Sequence, residues 1–99
     1  MAKGRPVKVK KIKQMPMTIE FSPRGRAGRP GCQILRFEEM EAIRLGDHLG
    51  LSQIDAAAFM NISQQTFSRL LNIGRRKVAG ALVNGKIIRI DGGVYSFEK

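Results

Sequence analysis

The chain is short of the residues that most chemistries need, and each shortage removes a class of function. It has a single cysteine, Cys32, which rules out an internal disulfide and leaves no cysteine cluster for a metal. Its single histidine, His48, lies near a helix end, where an imidazole is ordinarily a surface or packing residue, so neither metal binding nor proton transfer is expected of it. There is no tryptophan and only five Phe and one Tyr, too few exposed rings for stacking unpaired bases. No apolar run approaches membrane-spanning length, and no signal-peptide core follows the basic start. The expectation is a cytoplasmic protein with no membrane partner. Glu38, Glu39 and Glu41 are the only local cluster of acids. With no nucleophile or metal ligand beside them they read as a solvated first helical turn, so no enzymatic activity, cofactor or metal is expected.

What the chain does have is positive charge, unevenly placed. Ninety-nine residues suffice for one small domain with a modest core, and 42% apolar content suffices to fold it. The formal net charge is +10. Residues 1–36 carry ten Lys or Arg and one acid, whereas residues 37–99 carry eight and seven. A polyanionic partner is implied, and the N-terminal third is where most of the excess would meet it.

The most specific pattern lies between Leu51 and Lys77. Ser52 followed by Asp55 resembles a capping box and predicts a helix over 52–60, with Ile54, Ala57 and Ala58 as its apolar stripe. Asn61-Ile62 predicts a short turn, with Ile62 dropping into the core. Ser63 predicts the cap of a second helix over 64–83, whose buried face is Phe67, Leu70, Leu71, Val78, Ala81 and Leu82. Alanines 56–58 allow the two helices to cross closely. Two capped helices about so short a turn are the signature of a helix-turn-helix.

The opposite face of the second helix carries Gln65, Ser68, Arg69, Asn72 and Arg76 at helical steps. Amides and guanidinium groups make bidentate bonds to adenine and guanine edges in the major groove. The predicted base-reading set is Gln64, Gln65, Ser68, Arg69 and Asn72, near the helix start. Arg75, Arg76 and Lys77 come where the helix would leave the groove and meet phosphates. The glycines Gly74 and Gly80 interrupt this helix, each at a cost of about 1 kcal/mol against alanine, and would permit close packing against a C-terminal hairpin.

Around this motif the pattern is looser. Val7-Lys8-Val9-Lys10 alternates as a strand, and Met15, Met17, Ile19 and Phe21 predict a half-buried edge strand. Pro23 to Gly31 is too rich in glycine and proline for regular structure. Its Arg24, Arg26 and Arg29, with Arg5 of the arm, are predicted DNA contacts. Most simply they touch phosphates without sequence preference, while a partial likeness to an AT-hook keeps minor-groove insertion open. Residues 34–45 predict a helix with Phe37, Met40, Ile43 and Leu45 inward, although Arg36 is a poor N-cap, and Gly50 ends it. Lys86 to Ile90 and Val94 to Phe97 flank Asp91-Gly92-Gly93, the pattern of a β-hairpin. That hairpin would serve as a wing, or pair with the N-terminal strands, or with a second subunit.

The residues Phe37-Glu38-Glu39-Met40-Glu41-Ala42-Ile43-Arg44-Leu45, Gly50-Leu51-Ser52-Gln53, Ala56-Ala57, Ser63, Thr66-Phe67, Arg75-Arg76-Lys77-Val78-Ala79 and Ala81-Leu82 resemble a small family of prokaryotic predicted DNA-binding proteins related to sigma-factor region 4. Gly4-Arg5-Pro6 and Met15-Pro16 resemble its start. The Arg/Gly-rich loop at 24–31 and the lack of a cysteine-rich tail depart from it, and the latter speaks against metal sensing. The resemblance implies sequence-specific binding of double-stranded DNA in transcription regulation.

The expected organisation is therefore a basic arm at 1–36, a helix-turn-helix domain at 37–83 and a C-terminal hairpin at 84–99. The fold class is mostly α, with short β elements. The alternatives are an RNA-binding protein of translation or RNA processing, and a module that docks on RNA polymerase through Glu38, Glu39 and Glu41. A homodimer is left open.

Overall fold

Local capping chemistry starts each of the three helices, and the strands at either end of the chain tie them together. The computed structural model describes residues 10–25 and 30–97. In chain order these form β1 (Lys10–Ile12), β2 (Glu20–Phe21), β3 (Cys32–Leu35), α1 (Phe37–Ile43), α2 (Gln53–Met60), α3 (Gln64–Asn84), β4 (Ile87–Ile90) and β5 (Tyr95–Phe97). The predicted strand at Val7 to Val9 lies outside the described residues. The fold is mixed α/β, not mostly α.

Helix α1 begins at Arg36 after all. The Arg36 side chain is not what caps it: Glu39 reaches back and accepts the Arg36 backbone N–H at 2.9 Å. Ile34 and Leu35, expected at the helix start, belong to β3. Beyond Ile43 the helix widens into a π-helical turn, Arg44–His48, closed by Leu49 N–H on the Arg44 carbonyl at 2.8 Å. Gly50, at φ +73°, ends it.

The core is shared by α1, its π-turn, α2 and α3. Ala42, Leu45, Ala56, Ala57, Met60, Phe67, Leu70 and Leu71 are buried together, and Ile43, Leu51 and Ile62 pack against them. Ile62 thus drops in as the sequence predicts. The buried face of α2 is rotated from the predicted one. Ala56, Ala57 and Met60 point inward, while Ile54 is 67% exposed and Ala58 is exposed. An alanine-rich helix has too weak an apolar stripe to fix its own rotation. On α3, Phe67, Leu70, Leu71 and Ala81 are inward as expected, Val78 is half-buried and Leu82 is 74% exposed. Gly74 takes the intervening core position, because a side chain there would meet the carbonyl of Glu39 at 3.3 Å and Ile43 Cδ1 at 3.0 Å. Its close neighbour is therefore α1. Gly80 faces open space.

The expected hairpin does not form. Strand β4 is the centre of a three-stranded sheet in the order β2-β4-β3, antiparallel to β2 and parallel to β3. Strand β5 pairs instead with β1, in parallel, with Ile12 opposite Phe97. Between them Asp91 to Val94 wraps the start of α1. Asp91 N–H donates to the Leu35 carbonyl at 2.9 Å, and Phe37 N–H donates to the Gly92 carbonyl at 3.2 Å. The glycines at 92 and 93, with φ +74° and +104°, serve this wrap and not a two-stranded turn. The alternative in which the C-terminal segments join N-terminal strands is the one realised. The edge strand predicted over 15–21 shrinks to Glu20–Phe21, and Met17, Ile19 and Phe21 are exposed.

The acidic cluster is the largest departure. Glu38, Glu39 and Glu41 are all buried, at 1%, 0% and 2% exposure. Each has found its partner elsewhere. Glu41 holds the Arg44 guanidinium at 2.7 and 2.9 Å and accepts the Lys13 backbone N–H at 2.9 Å. Glu39 receives the Lys77 ammonium at 2.7 Å, with Arg36 Nε at 3.5 Å. Glu38 accepts Val94 N–H at 3.3 Å. The surface on which a polymerase-docking module would rely is therefore internal.

Candidate nucleic-acid interface

The two helices of the motif are set by the caps the sequence advertises. Ser52 Oγ accepts Asp55 N–H at 3.1 Å and starts α2. Asn61 then takes the left-handed conformation, φ 58° and ψ 45°, with its N–H on the Ala57 and Ala58 carbonyls. Ile62 N–H donates to the Ala57 carbonyl at 3.1 Å. Ser63 Oγ accepts Thr66 N–H at 3.1 Å and bonds the Thr66 hydroxyl at 2.9 Å, starting α3. Only Asn61, Ile62 and Ser63 separate the helices. Asparagine is well suited to the one non-glycine position with positive φ among the described residues.

Helix α3 buries Phe67, Leu70 and Leu71, and so its other side faces out. Gln64, Gln65, Arg69, Asn72 and Arg76 are exposed and Ser68 is half-buried. From Gln65 to Arg76 the stripe is about 16 Å long at 1.5 Å per residue, the scale of a helix segment seated in a groove. Among the described residues Arg69 and Arg76 have no hydrogen-bond or ion-pair partner, and their guanidinium groups are therefore available to a ligand. Gln33 of β3 joins Asn72, Arg76 and Lys77 around a shallow cleft of about 350 Å³ on this side of the helix, a neighbour that no pattern within α3 announces.

The basic triplet at 75–77 divides into three roles. Arg76 points outward and has no partner among the described residues. Arg75 is exposed but makes a bidentate pair with Asp47 of the π-turn, at 2.9 and 2.5 Å. That pair lowers the Asp47 carboxyl below its ordinary range and raises the Arg75 guanidinium. Lys77 departs furthest from its predicted place on a phosphate, because its ammonium is bound to the buried Glu39. A helix position next to an exposed arginine need not be exposed itself, because each residue turns the helix by about 100°.

The N-terminal third contributes on two other sides. Lys11 and Lys13 line a cleft of about 420 Å³ with Leu51, Asp55, Ala58, Phe59 and Asn61, which sets β1 along the outer face of α2. Arg24 is exposed. Its neighbours Ser22 and Pro23 lie against Ala81, Leu82 and Gly85, at the far end of α3 from Gln65. Arg5, Arg26 and Arg29 lie outside the described residues. Among the described residues no group of His, Cys, Asp and Glu is placed to hold a metal ion, and no helix is long and apolar enough to cross a membrane.

Comparison with known proteins gives a coherent picture. The chain is 46% identical over 98 residues to a UPF0251 protein of Dehalococcoides mccartyi strain BAV1, covering 95% of this chain and 81% of that one. It is 47% identical over 93 residues to a UPF0251 protein of Caldicellulosiruptor bescii, covering 94% and 65%. With a UPF0251 protein of Moorella thermoacetica the identity is 47% over 92 residues, covering 92% and 62%. No solved structure matches. Residues 1–98 match the family described as protein of unknown function DUF134, and the chain belongs to this DUF134/UPF0251 family.

Proposed function

We propose that the protein binds double-stranded DNA sequence-specifically and acts as a transcription regulator. One observation carries this reading: two serine-capped helices about a left-handed asparagine present Gln65, Arg69, Asn72 and Arg76 on one exposed stripe, and the two arginines have no partner among the described residues. In this reading α3 lies in the major groove with Gln64, Gln65 and Ser68 nearest the bases, and α2 crosses the backbone. Lys11 and Lys13, beside α2, then fall on the phosphate side. The resemblance to sigma-factor region 4 supports the same role for the same helices.

The excess charge supplies affinity and the stripe supplies choice. Phosphate neutralisation makes binding salt-dependent on any duplex, whereas amide and guanidinium bonds to base edges discriminate. Nothing in the site resembles a stacking platform, so the RNA alternative gains no support from the geometry.

The test is selection of a preferred site from randomised duplexes, followed by titration of variants. Gln65→Ala and Arg69→Ala are each expected to lose about 1–3 kcal/mol on the selected site while binding random duplex nearly as before. Equal losses on both, or stronger competition by structured RNA than by duplex DNA at one salt concentration, would overturn the reading.

A further inference from the structure

Strand β3 brings to the reading helix a side chain that the helix-turn-helix does not contain. Gln33 shares the cleft of about 350 Å³ with Asn72, Ile73, Arg76 and Lys77. Pairing with β4 fixes its place, Gln33 lying opposite Ile88, and Leu35 two residues on is buried. A side chain carried on a paired strand is held more firmly than one on a loop. Its carboxamide is also oriented, because Nε2 donates to the Ile34 carbonyl at 3.2 Å. That bond uses one N–H. The second N–H and Oε1 have no partner among the described residues.

The wall of the cleft selects an anion. Every charged side chain in it is a cation. Asn72 and Arg76 are exposed and one helical turn apart, and neither side chain has a partner among the described residues. Lys77 is tied to Glu39, but that carboxylate is fully buried and takes no part in the wall. Other clefts beside these helices differ. The one lined by Lys11 and Lys13 includes Asp55, and the one along Ile43 and Val78 sets Asp47 beside Arg75. A guanidinium and two carboxamides with no competing acid suit the oxygens of a phosphate.

Position along the helix says which phosphate. Asn72 and Arg76 lie seven and eleven residues beyond Gln65, about 10 and 16 Å along the axis. The major groove is about 12 Å wide, so a helix that reads bases with its first turns meets the backbone wall at this level. We infer that Gln33 and Arg76, with Asn72 beside them, grip one phosphate of the DNA backbone, so that β3 extends the interface beyond the helix-turn-helix. This rests on the DNA reading proposed above. Gln33 contributes hydrogen bonds without charge and Arg76 contributes both, so the two residues leave different marks on binding.

Titration of the full chain with the selected duplex and with random duplex tests the assignment. Gln33→Ala should raise the dissociation constant about tenfold on both, the loss of a hydrogen bond to a charged group, with the salt slope unchanged. Gln33→Glu, of the same shape, should bind more weakly still, by a margin that shrinks as salt rises, because its charge opposes the phosphate. Melting temperatures should stay close to the parent's, since Gln33 is only half-buried; if alanine perturbs the strand, the isosteric glutamate carries the test. Replacing phosphates of the selected duplex one at a time by uncharged methylphosphonate locates the contact. At one position the parent should lose affinity, and Gln33→Ala and Arg76→Ala should each lose less there than the parent does. Parent-like affinity of both Gln33 variants, a loss confined to the selected duplex, or Gln33 and Arg76 mapping to different phosphates would overturn the inference. Each of those results leaves the base-reading losses of Gln65→Ala and Arg69→Ala in place, whereas a parent that selects no duplex removes the DNA reading and this inference with it.

Discussion

Replacing Lys77 by methionine separates structural cations from those free to meet DNA. Glu39 is completely buried and its Oε1 receives the Lys77 ammonium at 2.7 Å; the lysine side chain is 23% exposed. Breaking a buried ion pair from one side costs about 3–5 kcal/mol, since the remaining charge stays desolvated. Here the cost is smaller, about 2–3 kcal/mol, because the lysine keeps some water and Arg36 still contacts Glu39 through its backbone N–H and its Nε. Unfolding entropy of about 2.1 cal/mol/K per residue gives a chain of this length about 0.2 kcal/mol/K, so the melting temperature should fall by about 10–15 °C. Glu39→Gln should also destabilise. The double variant should be more stable than the sum of the two losses by about 1–2 kcal/mol, the coupling of partners in contact.

Two assays read the result. Calorimetry or circular dichroism gives the melting temperatures and closes the cycle. Binding to random duplex, measured well below the melting point, gives the slope of log affinity against log salt. Lys77→Met should leave that slope unchanged, whereas Arg76→Ala should leave the melting temperature unchanged and reduce the slope by about 1. A Lys77→Met protein that melts within about 2 °C of its parent would refute the assignment, because a buried carboxylate cannot lose its main counter-ion at so little cost.

Further substitutions check other contacts. Gly80→Ala should stabilise the protein by about 0.5–1 kcal/mol, since its added methyl meets open space, whereas Gly74→Ala should destabilise it against the Glu39 carbonyl; thermal melts give both signs. Gly93→Ala should cost at least about 2 kcal/mol, because φ is +104° and the new Cβ would overlap the buried Glu38 carboxylate. In acid titration, the Asp47 carboxyl is held low by Arg75, so the stability it contributes is intact above its unfolded pKa and is lost as pH falls through the lower folded value; Asp47→Asn should remove that part of the profile. Removing residues 1–9 deletes Lys3, Arg5 and Lys8 but spares Ile12, which is buried in β1; the salt slope should become shallower by at most about 2.7 with the ranking of duplexes unchanged. A reordered ranking would show that the arm reads bases.

The parts of this fold legible in the sequence are those whose cause is local. Ser52, Asn61 and Ser63 act within three or four residues of themselves, so both helix starts and the turn between them can be read directly. The rotation of α2 could not be, because Ala56, Ala57 and Ala58 are alike in sequence and only packing against α3 chooses among them. Strand pairing is hidden from the sequence for a related reason. Asp91-Gly92-Gly93 supplies positive φ, which a hairpin wants, but so does a segment that wraps a helix start. The choice is made by Leu35 and Phe37, more than fifty residues earlier in the chain.

The buried glutamates show where this limit bears on function. Glu39 finds Lys77 across 38 residues, and Glu38 finds Val94 across 56. From the sequence alone, three acids and three bases look like two exposed clusters, one for a protein partner and one for phosphates. Pairing buries all three glutamates, ties Lys77 to Glu39 and closes Arg75 on Asp47. What remains outward on α3 after Gln65 is a shorter set, Arg69, Asn72 and Arg76, with fewer positive charges than the triplet suggested. If the protein binds DNA as proposed, a helix with so few free cations leaves most of the affinity to the basic residues of the N-terminal third. Strand β1, held by its pairing with β5 and the burial of Ile12, is what ties that third to the motif.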